Sequence, residues 1–254
     1  MRKKLHISIV SYTNTLPFRI GIETSPVFQQ YADITYDIPA VCARKLIEGE
    51  ADIGLVPVAA LPELKDYHIL SDYCIGADGK VDTVKLYGQV PVEEMQTIVL
   101  DYQSRTSVKL IQMLTEKYWQ MKPQFITGKA GFEHTSIRDQ QGAIVIGDRT
   151  FELNGQFAFQ YDLAEVWKQY TGLPFVFAVW VSKNRVDKEI EEVFNKSLAN
   201  GINRIDRIAR QYQDIVPKDV NLENYLKDRL DYNLDPPKRA AMKIFLDYLK
   251  LDNS

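Results

Sequence analysis

Little in these 254 residues points to metal, redox or disulfide chemistry. Only two cysteines occur, Cys42 and Cys74, and no Cys-x-x-Cys. Two separated thiols beside apolar residues make no disulfide framework and read as buried free thiols. The three histidines, His6, His68 and His134, lie far apart without ligand spacing, so no metal site is expected. Long hydrophobic runs are also missing. The longest, from Leu173 to Val181, contains Pro174 and is too short to span a bilayer, so no membrane partner is expected. Nor is there an excess of positive charge: the net charge is −3, which offers no nucleic-acid-binding face, although a local basic pocket stays open. Gly-x-Gly-x-x-Gly, a P-loop, His-Glu-x-x-His and a Ser-His-Asp order are absent. Nucleotide cofactors, zinc hydrolysis and nucleophilic serine chemistry all lose ground, and no cofactor is expected.

What is present is ordinary globular material, 45% hydrophobic and 26% charged, long enough for one large domain or two small ones. The chain starts with Met1, Arg2, Lys3 and Lys4, as a signal peptide would. The apolar stretch that follows is only a few residues long and runs into Ser11-Tyr12-Thr13-Asn14. It reads as a first strand and not as a secretory segment, so a soluble, cytoplasmic protein is expected.

The first half alternates strand and helix: strands at 5–10, 34–37 and 53–56, helices at 16–30, 41–48 and 58–64. Alternation of this kind predicts a mostly parallel sheet covered on both faces. Residues 68–75 and 81–87 read as two strands joined around Ala77-Asp78-Gly79-Lys80. A second α/β unit follows, with strands at 97–101, 124–127, 143–146 and 158–161 and helices at 106–121 and 164–170. A long apolar strand at 175–181 precedes helices at 188–211, 220–230 and 238–249. The pattern predicts two α/β lobes with a ligand cleft between them. Residues 1–92 form the first part of lobe I, 93–178 form lobe II, and 179–254 return to lobe I as a strand and the C-terminal helices.

The most informative stretch is Ser104-Arg105-Thr106-Ser107. It lies between the apolar strand ending at Asp101 and an amphipathic helix with Val108, Ile111, Leu114 and Tyr118 on one face. A helix start offers unpaired N–H groups and a positive dipole end, and three hydroxyls and a guanidinium join them there. The tetrad is therefore a candidate carboxylate or phosphate site; the structural alternative, an N-cap at Ser104 with an exposed arginine, is equally weighted. The same grammar recurs at Ser11-Tyr12-Thr13-Asn14-Thr15, where Asn14 offers donors and an acceptor and Ser11 and Thr15 offer hydroxyls. Two such turns, one per lobe, can hold a dianion from both sides. Thr83 alternates with Val81 along its strand and is a candidate contact. Gly147 ends the strand at 143–146 and permits close approach of a ligand. Asp148 reads as a cap for the next helix, with a catalytic carboxylate as the lesser reading.

Taken in order, residues 10–17, 51–58, 75–81, 100–107, 146–148 and 171–180 resemble the chorismate dehydratase family, whose members act in the futalosine route to menaquinone. The resemblance implies a two-lobed periplasmic-binding-protein-like type II fold. It also implies a hydro-lyase that removes water from chorismate to give 3-[(1-carboxyvinyl)oxy]benzoate. Asn14 and Thr83 match positions associated with that family's active site. The chain departs from the family pattern at Thr13, Leu16 and Thr83, where leucine, a basic residue and serine are more usual. Chorismate carries two carboxylates, so Ser104, Arg105, Thr106 and Ser107 are expected to bind one of them. Ser11, Asn14 and Thr15 would meet the other end or the departing C4 hydroxyl. Neither His nor Glu stands in these motifs, so the expected base is the substrate's own side-chain carboxylate. Two other readings stand beside this one. A 1,4-dihydroxy-6-naphthoate synthase would carry a catalytic histidine where this chain has Gly147-Asp148. A non-catalytic binding protein for a small dicarboxylate would share the fold. The small-molecule substrate is the one partner expected, and oligomeric state is left open.

Overall fold

The alternating pattern becomes two separate mixed sheets in a computed structural model, which describes residues 4–64 and 66–252. Residues 1–3 of the basic start therefore lie outside the described residues. In chain order the first part runs β1 (Leu5–Val10), a 3-10 turn (Thr13–Thr15), α1 (Leu16–Glu23), α2 (Pro26–Tyr31), β2 (Ala32–Asp37), α3 (Pro39–Glu48), β3 (Ile53–Pro57) and β4 (His68–Ala77). The middle comprises β5 (Val84–Gly88), β6 (Thr97–Leu100), α4 (Thr106–Lys117), β7 (Gln124–Thr127), α5 (Phe132–Thr135), β8 (Gln141–Ile146), α6 (Arg149–Glu152), β9 (Phe159–Asp162) and α7 (Leu163–Thr171). The chain then returns through β10 (Phe175–Ser182) and closes with α8 (Lys188–Ile202), α9 (Ile205–Tyr212), α10 (Leu222–Asn224), β11 (Asp231–Asn233) and α11 (Pro236–Asp252).

The first sheet has the order β11-β4-β10-β3-β1-β2 and the second β7-β6-β8-β5-β9. Neither is mostly parallel. β1 pairs in parallel with β2 and β3, and β6 with β7 and β8, because helical crossovers join those strands. Elsewhere the pairing is antiparallel: β10 lies between β3 and β4, and β5 lies between β8 and β9. These are the strands next to the points where the chain passes between sheets. β4 and β5 do not form a hairpin. β5 belongs to the second sheet, so the first crossing comes at residues 78–83, earlier than the boundary expected after residue 92. β10 belongs wholly to the first sheet.

Two helix expectations also change. The segment expected as one helix over 16–30 breaks at Thr24 and Ser25, where Pro26 starts α2. The helix expected over 188–211 divides at Asn203 and Arg204. Before that break α8 crosses α1 at backbone contact. A Cβ on Gly21 would lie 2.1 Å from the Ser197 carbonyl oxygen, and one on Gly201 only 1.8 Å from that of Pro17. Glycine at both positions lets the two helices seat this closely, and α1 carries at its N-terminus the turn that contains Asn14. Beneath it Phe18, Trp180, Phe194 and Phe28 pack edge to face with ring centroids 5.0–5.7 Å apart.

Cys42 and Cys74 are buried and unpaired, and burial pushes the Cys42 thiol up to about 12. Among the described residues no helix is long and apolar enough to cross a membrane. No group of three or more His, Cys, Asp or Glu side chains there converges as a metal site.

Candidate active site

Between the two sheets lies a small cavity of about 60 Å³, partly open to solvent. Its lining is mostly apolar, with a few polar groups at the ends of strands, as small-molecule sites are built. From the first sheet come Val10, Tyr12, Asn14, Thr15 and Phe177. From the second come Thr83, Gly147 and the whole tetrad from Ser104 to Ser107. Ser11 is the exception among the expected residues. Its side chain is exposed, its N–H donates to the Asp37 carbonyl at 2.9 Å, and it does not line the cavity. Three residues past the end of β1 the backbone turns into the 3-10 turn, and it carries Asn14 inward instead.

Asn14 presents a buried Oδ1 with no hydrogen-bond partner among the described residues. Its backbone carbonyl is held by the Tyr232 hydroxyl at 3.1 Å. Thr15 lines the cavity, but its hydroxyl is shared between the carbonyls of Val10 and Tyr12, the latter at 2.8 Å, and so fixes the turn. Buried acceptors are nearly always satisfied, and leaving one open costs about 1–3 kcal/mol. The Asn14 amide is therefore a place prepared for a donor that the protein does not supply.

The tetrad wall is differently built. Ser104 Oγ accepts the Ser107 N–H at 3.0 Å, so Ser104 does cap α4, from two residues before its first residue Thr106. Thr106 Oγ1 donates to the Phe177 carbonyl at 3.0 Å and accepts the Ala59 N–H at 3.2 Å, which ties α4 to the first sheet. Arg105 pairs with Glu63 at 2.7 Å, so its charge is partly spent on the opposite side of the cleft. What this wall turns toward a ligand is chiefly the first-turn backbone N–H groups of α4, which have no acceptor within a helix.

Gly147 has φ +69°, the left-handed region, and a Cβ there would meet the Tyr12 ring at 2.9 Å. The close approach this glycine permits is thus taken by Tyr12 from the facing sheet. Asp148 makes no capping hydrogen bond to α6. Its carboxylate instead accepts the Thr13 N–H at 3.1–3.2 Å, across the cleft and 135 residues away in sequence. It does not line the cavity, which turns the catalytic reading of this residue away. Burial pushes its carboxyl above the ordinary aspartate range, against the bonds from Thr13 that favour the charge.

Several supporting residues escaped the sequence reading. Asp101 is fully buried; its carboxylate accepts the N–H groups of Gln103 and Ile146, each at 2.9 Å, and pairs with Arg149. That ties the loop before the tetrad to the end of β8. Arg149 also reaches Glu133 at 3.2 Å and lies over the rings of Tyr102 and Phe132. The Tyr12 hydroxyl donates to Gln103 Oε1 across the cleft, and burial with the nearby charge of Asp101 pushes its pKa far up, so it stays a neutral donor. Among the described lining residues none is His, Lys, Asp or Glu. The cavity can bind, orient and donate hydrogen bonds, but it offers no basic side chain to take a proton.

Residues 5–251 match the model of a family described as menaquinone biosynthesis. The chain is 31% identical over 250 residues to a chorismate dehydratase of Campylobacter jejuni, covering 96% of this chain and 97% of that one. It is 26% identical over 239 residues to a chorismate dehydratase of Thermus thermophilus, covering 86% and 87%. Among solved structures it is similar to a protein of Archaeoglobus fulgidus, with a TM-score of 0.76 at 12% identity over 98% of both chains. It is also similar to the periplasmic aliphatic sulphonate binding protein of Escherichia coli, with a TM-score of 0.60 at 11% identity over 99% of this chain and 87% of that one. A Candida albicans protein described as having the generic periplasmic binding protein fold matches at a TM-score of 0.63 and 12% identity, over 98% and 90%. The two sheets with a cleft between them are thus the two lobes of a periplasmic-binding-protein-like fold.

Proposed function

The chain belongs to the menaquinone biosynthesis family, and from that premise we propose that it is a chorismate dehydratase, a hydro-lyase giving 3-[(1-carboxyvinyl)oxy]benzoate. The single observation in the site that carries this reading is the open, buried Oδ1 of Asn14. A ligand hydroxyl that donates to it satisfies the orphan acceptor, and chorismate has one hydroxyl, at the C4 that must lose it. The reaction removes the C3 proton and the C4 hydroxide together as one water, and the ring becomes aromatic. Asn14 orients the hydroxyl; it is not basic near neutral pH. Among the described residues the cavity lining supplies no base, which supports the substrate's own side-chain carboxylate in that role, with the protein contributing position. The first turn of α4, with Ser107, takes the ring carboxylate through N–H and hydroxyl groups. The tetrad binds chiefly through its backbone, and Thr83 and Gly147 complete the same pocket.

The futalosine route and a cytoplasmic location belong to the same proposal; fractionation of the native cells checks the second. Incubating the purified protein with chorismate and following the aromatic product by absorbance and mass tests the activity. Tight retention of chorismate without product would favour the dicarboxylate-binding reading.

A further inference from the structure

Thr83 enters the cleft from a tightly held turn. Asp82 before it adopts φ +65°, rare for a residue with a side chain. Its N–H and that of Val81 both donate to Asp162, at 2.7 and 3.0 Å. The Asp82 carboxylate pairs with Arg229. Arg229 ends a π-helical turn, Tyr225–Arg229, at whose start the Tyr225 side chain is buried against Phe151, ring centroids 5.1 Å apart. Such turns are rare and concentrate at functional sites.

The Tyr225 hydroxyl stands 2.8 Å from Thr83 Oγ1, its one hydrogen-bond partner among the described residues. Each hydroxyl has a single proton. Were Thr83 the donor, the Tyr225 proton would be buried with nothing to accept it, which is costly. Tyr225 therefore donates. The Thr83 proton is then left to a protein acceptor only at the Val81 carbonyl, 3.5 Å away and at the limit of a hydrogen bond, or to whatever occupies the cavity.

We infer that Tyr225 is a positioning residue that fixes the Thr83 hydroxyl as a donor to a substrate carboxylate. This rests on the chorismate reading and extends it to the C-terminal segment. Tyr225→Phe keeps the ring and its packing but removes the donor, so the Thr83 hydroxyl is free to turn. The expected result is a KM for chorismate raised about tenfold, with kcat and Tm nearly unchanged. Thr83→Val should raise KM at least as much, and adding Y225F to T83V should raise it no further. With Thr83→Ser, which keeps a hydroxyl, the Y225F effect should persist. An unchanged KM in Y225F, or a Y225F effect undiminished on the T83V background, overturns the inference. Where Y225F does not fold, an unchanged KM in T83V overturns it alone. Wild-type protein that makes no aromatic product overturns the chorismate reading and the inference with it. Turnover by wild type with an indifferent Y225F overturns the inference only.

Discussion

The two walls of the cleft look alike in sequence and differ in what they leave unspent. Both are an apolar strand, a run of hydroxyl and amide residues, and a helix start. On the second-lobe wall the side chains of Ser104, Arg105 and Thr106 are engaged with the protein itself, and chiefly backbone N–H groups remain for a ligand. On the first-lobe wall Thr15 and Tyr232 fix the turn, and the Asn14 amide is left with an open acceptor. One wall is a rigid cradle for charge, the other a poised polar group. Division of labour of this kind suits an elimination, which needs an anion held still while a hydroxyl departs.

Removing the Asn14 amide is the sharpest way to break the contrast. Asn14→Ala should lower kcat for chorismate by ~10³–10⁴-fold, about 4–5.5 kcal/mol of barrier, with folding intact. Near wild-type turnover in that variant would put the chemistry elsewhere. Next in size is the support of the cradle. Asp101→Asn turns one acceptor oxygen into a donor facing the N–H groups and guanidinium that Asp101 now satisfies. Urea unfolding should show a loss of about 3–5 kcal/mol, as for a broken buried ion pair.

Much of the local build of both walls is legible in the sequence. Strand-to-helix punctuation at 10–16 and 100–107 marks both turns, because a helix start must satisfy its N–H groups locally. Pairing partners were not legible: a period of two says which face of β5 is buried, not which sheet it joins. Long-range polar contacts leave no local trace. Asp148 looks like a cap in the sequence, and only the fold brings Thr13 to it. Ser11 shows the converse error, since being next to a site residue is not the same as pointing into the cavity; Thr15 does line it, with its hydroxyl spent on the turn. One missed element did carry a signal. Leu230, Tyr232 and Leu234 alternate with Asp231 and Asn233, the mark of β11, the strand that brings Tyr232 to Asn14.

The turn that carries Thr83 between the walls gives a pH prediction. Burial pushes Asp162 from 3.8 to about 6, outweighing the N–H groups it accepts. A proton is therefore held more tightly folded than unfolded. The stability this group contributes is complete below pH 3.8 and is lost as pH rises through about 6. The shift corresponds to at most ~3 kcal/mol. Unfolding free energies of wild type and Asp162→Asn, measured from pH 4 to 7, should differ in slope in that sense. Parallel curves would mean that the carboxyl titrates normally.

The smallest effect expected is at the residue that looks most like an anion hook. Arg105 faces Glu63, is about one-third exposed, and forms an ion pair of the kind worth ~0–1 kcal/mol. Arg105→Gln should therefore raise the KM for chorismate less than about fivefold and leave kcat alone. If the guanidinium held a substrate carboxylate directly, losing two charge-assisted hydrogen bonds would weaken binding on the order of 100-fold. Glu63→Gln separates the two cases from the other side. It frees Arg105 without removing it, so KM should stay level where the cradle's work is done by the backbone of α4; a fall would show the freed guanidinium holding a substrate carboxylate.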